Sequence, residues 1–167
     1  MSTGFATAPA PMRPDLTYQK IRATQAVGAG ASWFLWIAGL SMLNSIIGMA
    51  KGGLHFVVGL GITQVVDGLA HQAGNSGIIL DLIINGFVAG LFVIFWNFAK
   101  KAQNWAFATG MLLYALDGLL LLAFKDIFSV AFHAYALFRI YNGMKSVPAL
   151  QKVQEASIAV GAPIAPR

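Results

Sequence analysis

The chain has 167 residues, of which 57% are hydrophobic and only 10% are charged, whereas roughly 25% of the residues of a soluble globular protein are charged. This composition excludes an ordinary water-soluble domain and predicts an all-α integral membrane protein. The net charge of +5 does not indicate nucleic-acid binding, because the Lys and Arg residues cluster at the ends of apolar runs and in the tails. The absence of cysteine excludes thiol catalysis and Cys-ligated metal centres.

Residues 1–28 are predicted to form a flexible N-terminal segment. Met1 to Pro14 is polar and rich in Ala, Pro and Thr, without the apolar stretch and cleavage site of a signal peptide. From Leu16 to Val27, the basic pair Lys20 and Arg22 with neighbouring apolar residues is typical of an interfacial helix. A positively charged flank that orients the first membrane span explains the same residues equally well.

Four apolar segments are long enough to cross a membrane, since about 20 helical residues span the hydrocarbon core. The first belongs to a run from Ala23 to Ala50 without a charged residue. Together the segments predict a transmembrane four-helix bundle over residues 29–145, followed by a flexible tail at 146–167 that ends in small residues and prolines. The predicted spans are 31–50, 78–99, 103–124 and 127–145.

The segment 54–70, between the first and second spans, is apolar but short. Polar or small residues recur at every fourth position, which places them in one stripe on a helix, opposite an apolar face. This pattern predicts an amphipathic helix that lies at the membrane surface or enters it part-way. A fifth span is the alternative. The stripe consists of His55, Gly59, Thr63, Asp67 and His71.

The distribution of basic residues favours four spans with both termini in the cytoplasm, because cytoplasmic loops are enriched in Lys and Arg. In this topology only Lys51 and Lys125 are outside. A fifth span would instead expose the basic pair before the first span. The four-span topology also gathers the four tryptophans at one interface, as an aromatic anchor belt. The predicted cytoplasmic residues are Lys20, Arg22, Lys100, Lys101, Arg139, Lys145 and Lys152, and the tryptophans are Trp33, Trp36, Trp96 and Trp105.

Four polar residues in four different spans form a predicted buried polar layer: Asn44, Asn85, Asp117 and His133. Each lies six or seven residues from the outer end of its span, at a depth of roughly 10 Å. A carboxylate at this depth costs about 2–3 kcal/mol, so Asp117 needs a partner, and His133 is the natural one. Two interpretations stay open, namely polar contacts that hold the bundle together and a proton or ion path.

Three further polar residues predict an outer path that leads from the layer to the surface. Asp81 precedes Asn85 by one helical turn, and Asp67 and His71 belong to the amphipathic segment. Near an interface, carboxylates such as that of Asp67 are also simply solvated. The path therefore has the same two interpretations as the layer.

No cofactor and no enzymatic activity are predicted. The three histidines, His55, His71 and His133, match neither a bis-imidazole haem site nor a zinc site. Ser129 and His133 are the only nucleophile and base on one helix face, and neither an orienting acid nor an oxyanion-hole motif accompanies them.

Small residues indicate where helices approach each other closely. Gly86 and Gly90 form a GxxxG match in the second span, and Ala38, Ser41 and Ser45 give the first span a narrow face. The sequence does not distinguish a contact within the bundle from a contact with another subunit. Expected partners are membrane lipids and either a membrane protein or a second copy of the chain.

Four motifs over about residues 30–145 carry a resemblance to a known class of proteins. They are Gly59-Leu-Gly-Ile-Thr-Gln-Val-Val-Asp67, Trp105-Ala-Phe-Ala-Thr-Gly110, Tyr114-Ala-Leu-Asp117-Gly-Leu and Phe132-His133-Ala-Tyr-Ala-Leu-Phe138. With these motifs the chain resembles small polytopic inner-membrane proteins of bacteria to which no function is assigned. The resemblance implies a bacterial inner-membrane location and no particular chemistry.

Three functions remain as hypotheses. The first is an accessory or scaffolding subunit of a larger membrane complex, which fits the short loops and the lack of a catalytic motif. The second is a small oligomeric proton- or cation-coupled transporter or channel that uses Asp117 and His133. The third, an intramembrane enzyme, rests only on the pair Ser129 and His133.

Overall fold

The computed structural model describes residues 14–51, 61–62 and 75–159. Within these ranges the chain is helical apart from short turns, and no strand occurs. The predicted all-α fold class is therefore confirmed. The helices are α1 (Pro14–Lys51), α2 (Asn75–Ala99), α3 (Asn104–Ala123), α4 (Ile127–Lys145) and α5 (Val147–Ala159).

Two tight turns connect α2, α3 and α4. Ala102 in the first turn and Lys125 in the second have positive φ angles of 59° and 61°. Asp126 then begins α4, because its side chain accepts a hydrogen bond from the backbone N–H of Ser129 at 3.1 Å, as an N-cap residue does. Such short connections make α2, α3 and α4 successively antiparallel neighbours.

Aromatic rings fill the centre of the helix packing. Phe34 of α1 is fully buried, and its ring lies 6.0 to 6.2 Å, centroid to centroid, from those of Phe92, Phe95 and Phe107. These rings belong to α2 and α3, so one side chain of α1 contacts both helices. Tilted ring pairs at this separation are favourable aromatic contacts.

Helices α1 and α4 cross with their backbones in contact. A Cβ atom added to Gly30 would lie 2.5 Å from the Cα of Gly143, and one added to Gly143 would lie 2.6 Å from the Cα of Gly30. Further along α1, the ring of Trp33 lies 5.3 Å from that of Tyr135. Since Tyr135 precedes Gly143, the two helices run antiparallel. Only glycine at both positions allows this close approach.

Helix α5 shows that the predicted flexible tail at 146–167 is wrong for residues 147–159. One face of the helix is buried, at Val147, Leu150, Val153 and Ser157, and it packs mainly against α1. Its apolar residues recur every three positions, and Pro148 lies in the first turn, where the missing N–H costs little. Residues 160–167 lie outside the described residues.

The N-terminal prediction is also wrong for residues 14–28. These residues form the first turns of α1, and this single helix of 38 residues continues through the predicted span 31–50. Val27 and Ala23 pack into the apolar core, so this stretch is a helix continuous with the first predicted span rather than a flexible segment. Residues 1–13 lie outside the described residues.

Three helices are long and apolar enough to cross a membrane, over Asp15–Ile47, Leu82–Ala99 and Asn104–Ala123. The predicted fourth span, 127–145, coincides with α4, which is not among these three. Of the predicted amphipathic helix at 54–70, only Gly61 and Ile62 belong to the described residues, and both are helical.

Candidate functional site

The carboxylate of Asp117 on α3 is the centre of the candidate site. Its Oδ2 accepts a hydrogen bond from the backbone N–H of Gly61 at 2.7 Å, and its Oδ1 accepts one from the N–H of Ile62 at 2.8 Å. Two adjacent helical N–H groups that bond a carboxylate have the geometry of a helix N-terminal turn. Asp117 therefore attaches the segment at 61–62 to α3.

The third contact of this carboxylate is His133 on α4. Nε2 of His133 lies 2.9 Å from Oδ2 of Asp117, and the two side chains are only 2% and 6% exposed. The predicted partners are thus in direct contact in the structure. The pair joins α3 to α4. The hydrogen bonds from the backbone of Gly61 and Ile62 to the Asp117 carboxylate join both helices to the segment at 61–62.

The surroundings of His133 define where its protons lie. Nδ1 lies 2.8 Å from the backbone carbonyl oxygen of Ser129, which can only accept, so Nδ1 carries a proton. The contact between Nε2 and Asp117 needs one further proton, because both atoms would otherwise be acceptors. The pair is therefore either an imidazolium with a carboxylate or a neutral imidazole with a carboxylic acid, and both forms are neutral overall.

Packing fixes the imidazole ring in one orientation. The ring of Tyr114 stacks on it at 4.1 Å between centroids, with an angle of 15° between the planes. On α3, Gly118 leaves room for the histidine, since a Cβ atom added there would lie 3.3 Å from both Cβ and Cδ2 of His133. A stacked ring and a glycine thus hold the imidazole against Asp117.

Ser129 and His133, the candidate nucleophile and base, each have a carboxylate partner in the structure. The Ser129 hydroxyl donates to Oδ2 of Asp126 at 2.6 Å, and both nitrogens of His133 bond other atoms, namely the Ser129 carbonyl oxygen and the carboxylate of Asp117. Ser129 is therefore part of the capping of α4, whereas His133 belongs to the contact with Asp117.

Asn85, another member of the predicted polar layer, connects α2 to α1. Its Nδ2 donates a hydrogen bond to Oγ of Ser45 at 2.7 Å, and both residues are buried. The sequence had placed Ser45 only in the narrow face of the first span. An Asn and a Ser on the small faces of two apolar spans are the signal that predicts such a contact.

Asn44 and Ser41 on α1 are buried without hydrogen-bond partners among the described residues. Both amide atoms of Asn44 and the hydroxyl oxygen of Ser41 are in this state. Asn44 follows Gly30 by 14 residues, and Ser129 precedes Gly143 by 14 residues, so Asn44 is level with the first turn of α4. Buried polar groups usually bond water or protein, so a water molecule or another group of the protein is expected to bond these atoms.

The structure thus places all four residues of the predicted layer in buried positions, in two hydrogen-bonded groups rather than one. Asp117 and His133 form one group, and Asn85 belongs to the other; Asn44 is bonded to neither. Sequence reasoning missed the backbone N–H groups of Gly61 and Ile62, because main-chain donors leave no side-chain pattern.

The predicted outer path is described only in part. Asp67 and His71 lie outside the described residues, as does His55. Asp81 belongs to α2, one turn before Asn85. No group of three or more potential metal-ligating side chains occurs in the part of the chain that the structure describes.

No family model, curated protein or solved structure matches the chain. The resemblance to small bacterial inner-membrane proteins therefore stays a prediction.

Proposed function

We propose that the protein is an integral membrane protein in which α1 to α4 cross the bilayer. Length and composition support this for α1, α2 and α3. Helix α4 is less apolar, but its polar side chains have contacts: His133 is bonded to Asp117, and the guanidinium of Arg139 lies 5.6 Å from the ring of Trp33. An ionisable residue within a span is expected to be paired in this way.

Basic residues stacked on aromatic rings support a cytoplasmic location for one end of the bundle. Nζ of Lys100 lies 3.8 Å from the ring centroid of Trp96, and Nζ of Lys145 lies 5.4 Å from that of Tyr141. Rings and cations together are typical of the membrane interface, and an excess of cations is typical of its cytoplasmic side. Both termini are then cytoplasmic, and a bacterial inner membrane fits the resemblance.

The length of α1 fits this topology. Its 38 residues extend about 57 Å, whereas the hydrocarbon core is about 30 Å thick. In the proposed orientation the first turns of α1 extend into the cytoplasm, where α5 packs against them. The two helices would form a small cytoplasmic extension of the bundle.

Within this membrane, we propose that the protein is a non-enzymatic accessory or scaffolding subunit that binds another membrane protein through α2. The observation that carries this proposal is the GxxxG face of α2. A Cβ atom added to Gly86 or Gly90 would meet no atom of the described residues within 4 Å, so neither glycine is needed for a contact among the described helices. Beside them Ile83 and Phe87 are 63% and 68% exposed.

The face formed by Ile83, Gly86, Phe87, Gly90 and Ile94, called here the glycine face, has the shape that a partner helix requires. Two glycines one turn apart form a groove, and large apolar side chains border it. Ile94, one turn beyond Gly90, is 48% exposed. A helix from another protein would pack there through close van der Waals contacts.

Capture of the native complex tests this proposal. The chain, tagged at its C-terminus, is isolated in mild detergent, and the product is analysed by native electrophoresis and mass spectrometry. We expect a stoichiometric complex with a second membrane protein. A homo-oligomer without another protein would overturn the accessory function.

Two matched variants locate the contact. Gly90→Leu fills the glycine face and is expected to release the partner. Gly39→Leu is the control, because a Cβ at Gly39 of α1 also meets nothing within 4 Å, so that it adds the same bulk to a different exposed surface. Loss of the partner in both variants, or in neither, would contradict the assignment to α2.

A proton- or cation-coupled transporter or channel is the second candidate. The observation that favours it is that the buried polar groups of Ser41 and Asn44 on α1 have no hydrogen-bond partner among the described residues, so they would be free to bind water or an ion. It ranks second because the carboxyl group of Asp117 already has three hydrogen-bond partners in its own chain. In proteoliposomes, transport that is lost in a folded Asp117→Asn variant would favour it over the accessory function.

A further inference from the structure

A cavity of about 440 Å³ lies where α1 and α4 cross. Its floor includes the touching backbones of Gly30 and Gly143, and two alanines of α1 form one wall. The opposite wall is polar. It consists of Arg139, Asn142, Lys145 and Ser146.

The two cations of this cavity have no carboxylate partner in the part of the chain that the structure describes. Among the described residues the ion pair is that of Asp117 and His133, and no acidic side chain lines the cavity. Arg139 is held instead by Tyr135, whose hydroxyl accepts from Nη1 at 3.0 Å, and the ring of Tyr141 lies below the ammonium of Lys145. Rings position both charges without neutralising them.

Arg139 retains donors for a further ligand. A guanidinium carries five N–H groups in a planar fork that fits two oxygens of a phosphate or carboxylate. Among the described residues, an acceptor lies within hydrogen-bond distance of Nη1 alone. The amide of Asn142 and the ammonium of Lys145 add neutral and charged donors on the same wall. The donor set therefore suits an anion with several oxygens.

The position of the cavity identifies the source of that anion. In the topology proposed above, on which this inference rests, the crossing of α1 and α4 lies at the cytoplasmic surface of the membrane, beside Trp33. Basic pockets between helices at this level bind the head groups of anionic lipids. We propose that the cavity, called here the crossing cavity, binds the phosphate group of an anionic phospholipid of the cytoplasmic leaflet.

Native mass spectrometry tests this proposal with phosphatidylglycerol added to the detergent-purified full chain. We expect one molecule of phosphatidylglycerol to bind, whereas phosphatidylcholine, whose head group is neutral overall, binds at least about tenfold more weakly. The double variant Arg139→Gln/Lys145→Gln should lose at least about tenfold in affinity, since each side chain forms charge-assisted hydrogen bonds. Inorganic phosphate at millimolar concentration should not displace the lipid.

The control is the double variant Lys100→Gln/Lys101→Gln. It removes the same number of charges from a ring-stacked basic pair in the turn between α2 and α3, which does not line the crossing cavity. Equal losses in both double variants would overturn the proposal, because the lipid would then respond to surface charge alone. Displacement by inorganic phosphate would also overturn it and indicate a site for a soluble anion.

Two single variants guard against misfolding. Arg139→Gln and Lys145→Gln, each with the helical circular dichroism of the original chain, should show partial loss of affinity. Full affinity in both folded variants would contradict the proposal. A chain that purifies without detergent would instead refute the membrane location, so this failure is distinguishable from failure of the lipid site.

Discussion

Two regions of the bundle are held together by different forces. In the region around Phe34, called here the aromatic half, α1 meets α2 and α3 through rings and meets α4 through the contact of Gly30 and Gly143. In the region around Asp117, called here the polar half, the helices are joined by hydrogen bonds. The first region depends on the shapes of the packed side chains, and the second depends on the directions of its hydrogen bonds.

In the proposed membrane location, this difference explains how the helices obtain a unique arrangement. Burial of an apolar side chain against another helix gains little over its burial in lipid, so packing shape has to determine the distance between helices. Hydrogen bonds in a medium without water are directional and costly to leave unmade. Contacts such as that of Asp117 with His133 therefore determine register, and the glycine contact determines separation.

The largest effect is expected when Asp117 is removed, because three elements lose their common acceptor. Asp117→Ala leaves the N–H groups of Gly61 and Ile62 and the ring of His133 without it. Removal of one partner of a buried pair costs about 3–5 kcal/mol. We expect the free energy of unfolding in mixed detergent micelles, followed by circular dichroism, to fall by about this amount.

The control for this variant is Asp126→Ala, which removes the other carboxylate that accepts from a backbone N–H. Loss of an N-cap costs typically about 1 kcal/mol. If both variants had equal effects, Asp117 would be only another helix cap, and the polar half would not depend on its central carboxylate.

In the aromatic half, the corresponding variant is Gly143→Ala. The added Cβ would lie 2.6 Å from the Cα of Gly30, so α1 and α4 have to separate. Overpacking of this kind costs typically about 1–3 kcal/mol. The same unfolding measurement should show a decrease in this range, and cross-linking between α1 and α4 should become less efficient.

Gly39→Ala is the matched control, because the space beside this residue is open. It should be neutral or slightly stabilising, since alanine favours a helix by up to about 1 kcal/mol over glycine. Equal behaviour of the two glycine variants would show that backbone contact is not what determines the separation of α1 and α4.

The two halves also differ in how far the sequence predicts them. Spans and buried polar residues follow from composition, because a long apolar run forms a helix in lipid and Asp117 needs a partner there. The contact of Gly30 with Gly143 is not predictable, since glycine is frequent throughout the chain and its use depends on the crossing point. The hydrogen bond from Gly61 to Asp117 uses a main-chain N–H group. Almost every residue has such a group, so the sequence does not single out Gly61.

Helix α5 was missed for a different reason. Only four of its 13 residues are large and apolar, and three alanines and a serine make the stretch resemble a tail rich in small residues. Val27 and Val147 are buried in the same core cluster, although 120 positions separate them in sequence. A short amphipathic helix of this kind gains its stability from tertiary packing, which local propensity does not reveal.

The smallest effect is expected for Ser45→Ala in the polar half. The variant removes the acceptor of the Nδ2 group of Asn85, and hydrogen bonds between membrane helices contribute on average about 0.6 kcal/mol. We expect a decrease of this size in the free energy of unfolding. Ser32→Ala is the matched control, because the hydroxyl of Ser32 bonds the carbonyl of Gly28 within the same helix and should contribute almost nothing to the association of helices.

A double-mutant cycle of Ser45→Ala with Asn85→Ala separates the hydrogen bond from the packing of each side chain. A coupling energy near the single-variant effect would show that direction determines the contact between α1 and α2 in the polar half. A coupling energy of zero, with destabilisation by Ser45→Ala alone, would instead assign the loss to packing. Packing would then hold the contact between α1 and α2 in the polar half, as it does in the aromatic half. The hydrogen bonds of Asp117 alone would then determine the relative orientation of helices in the polar half.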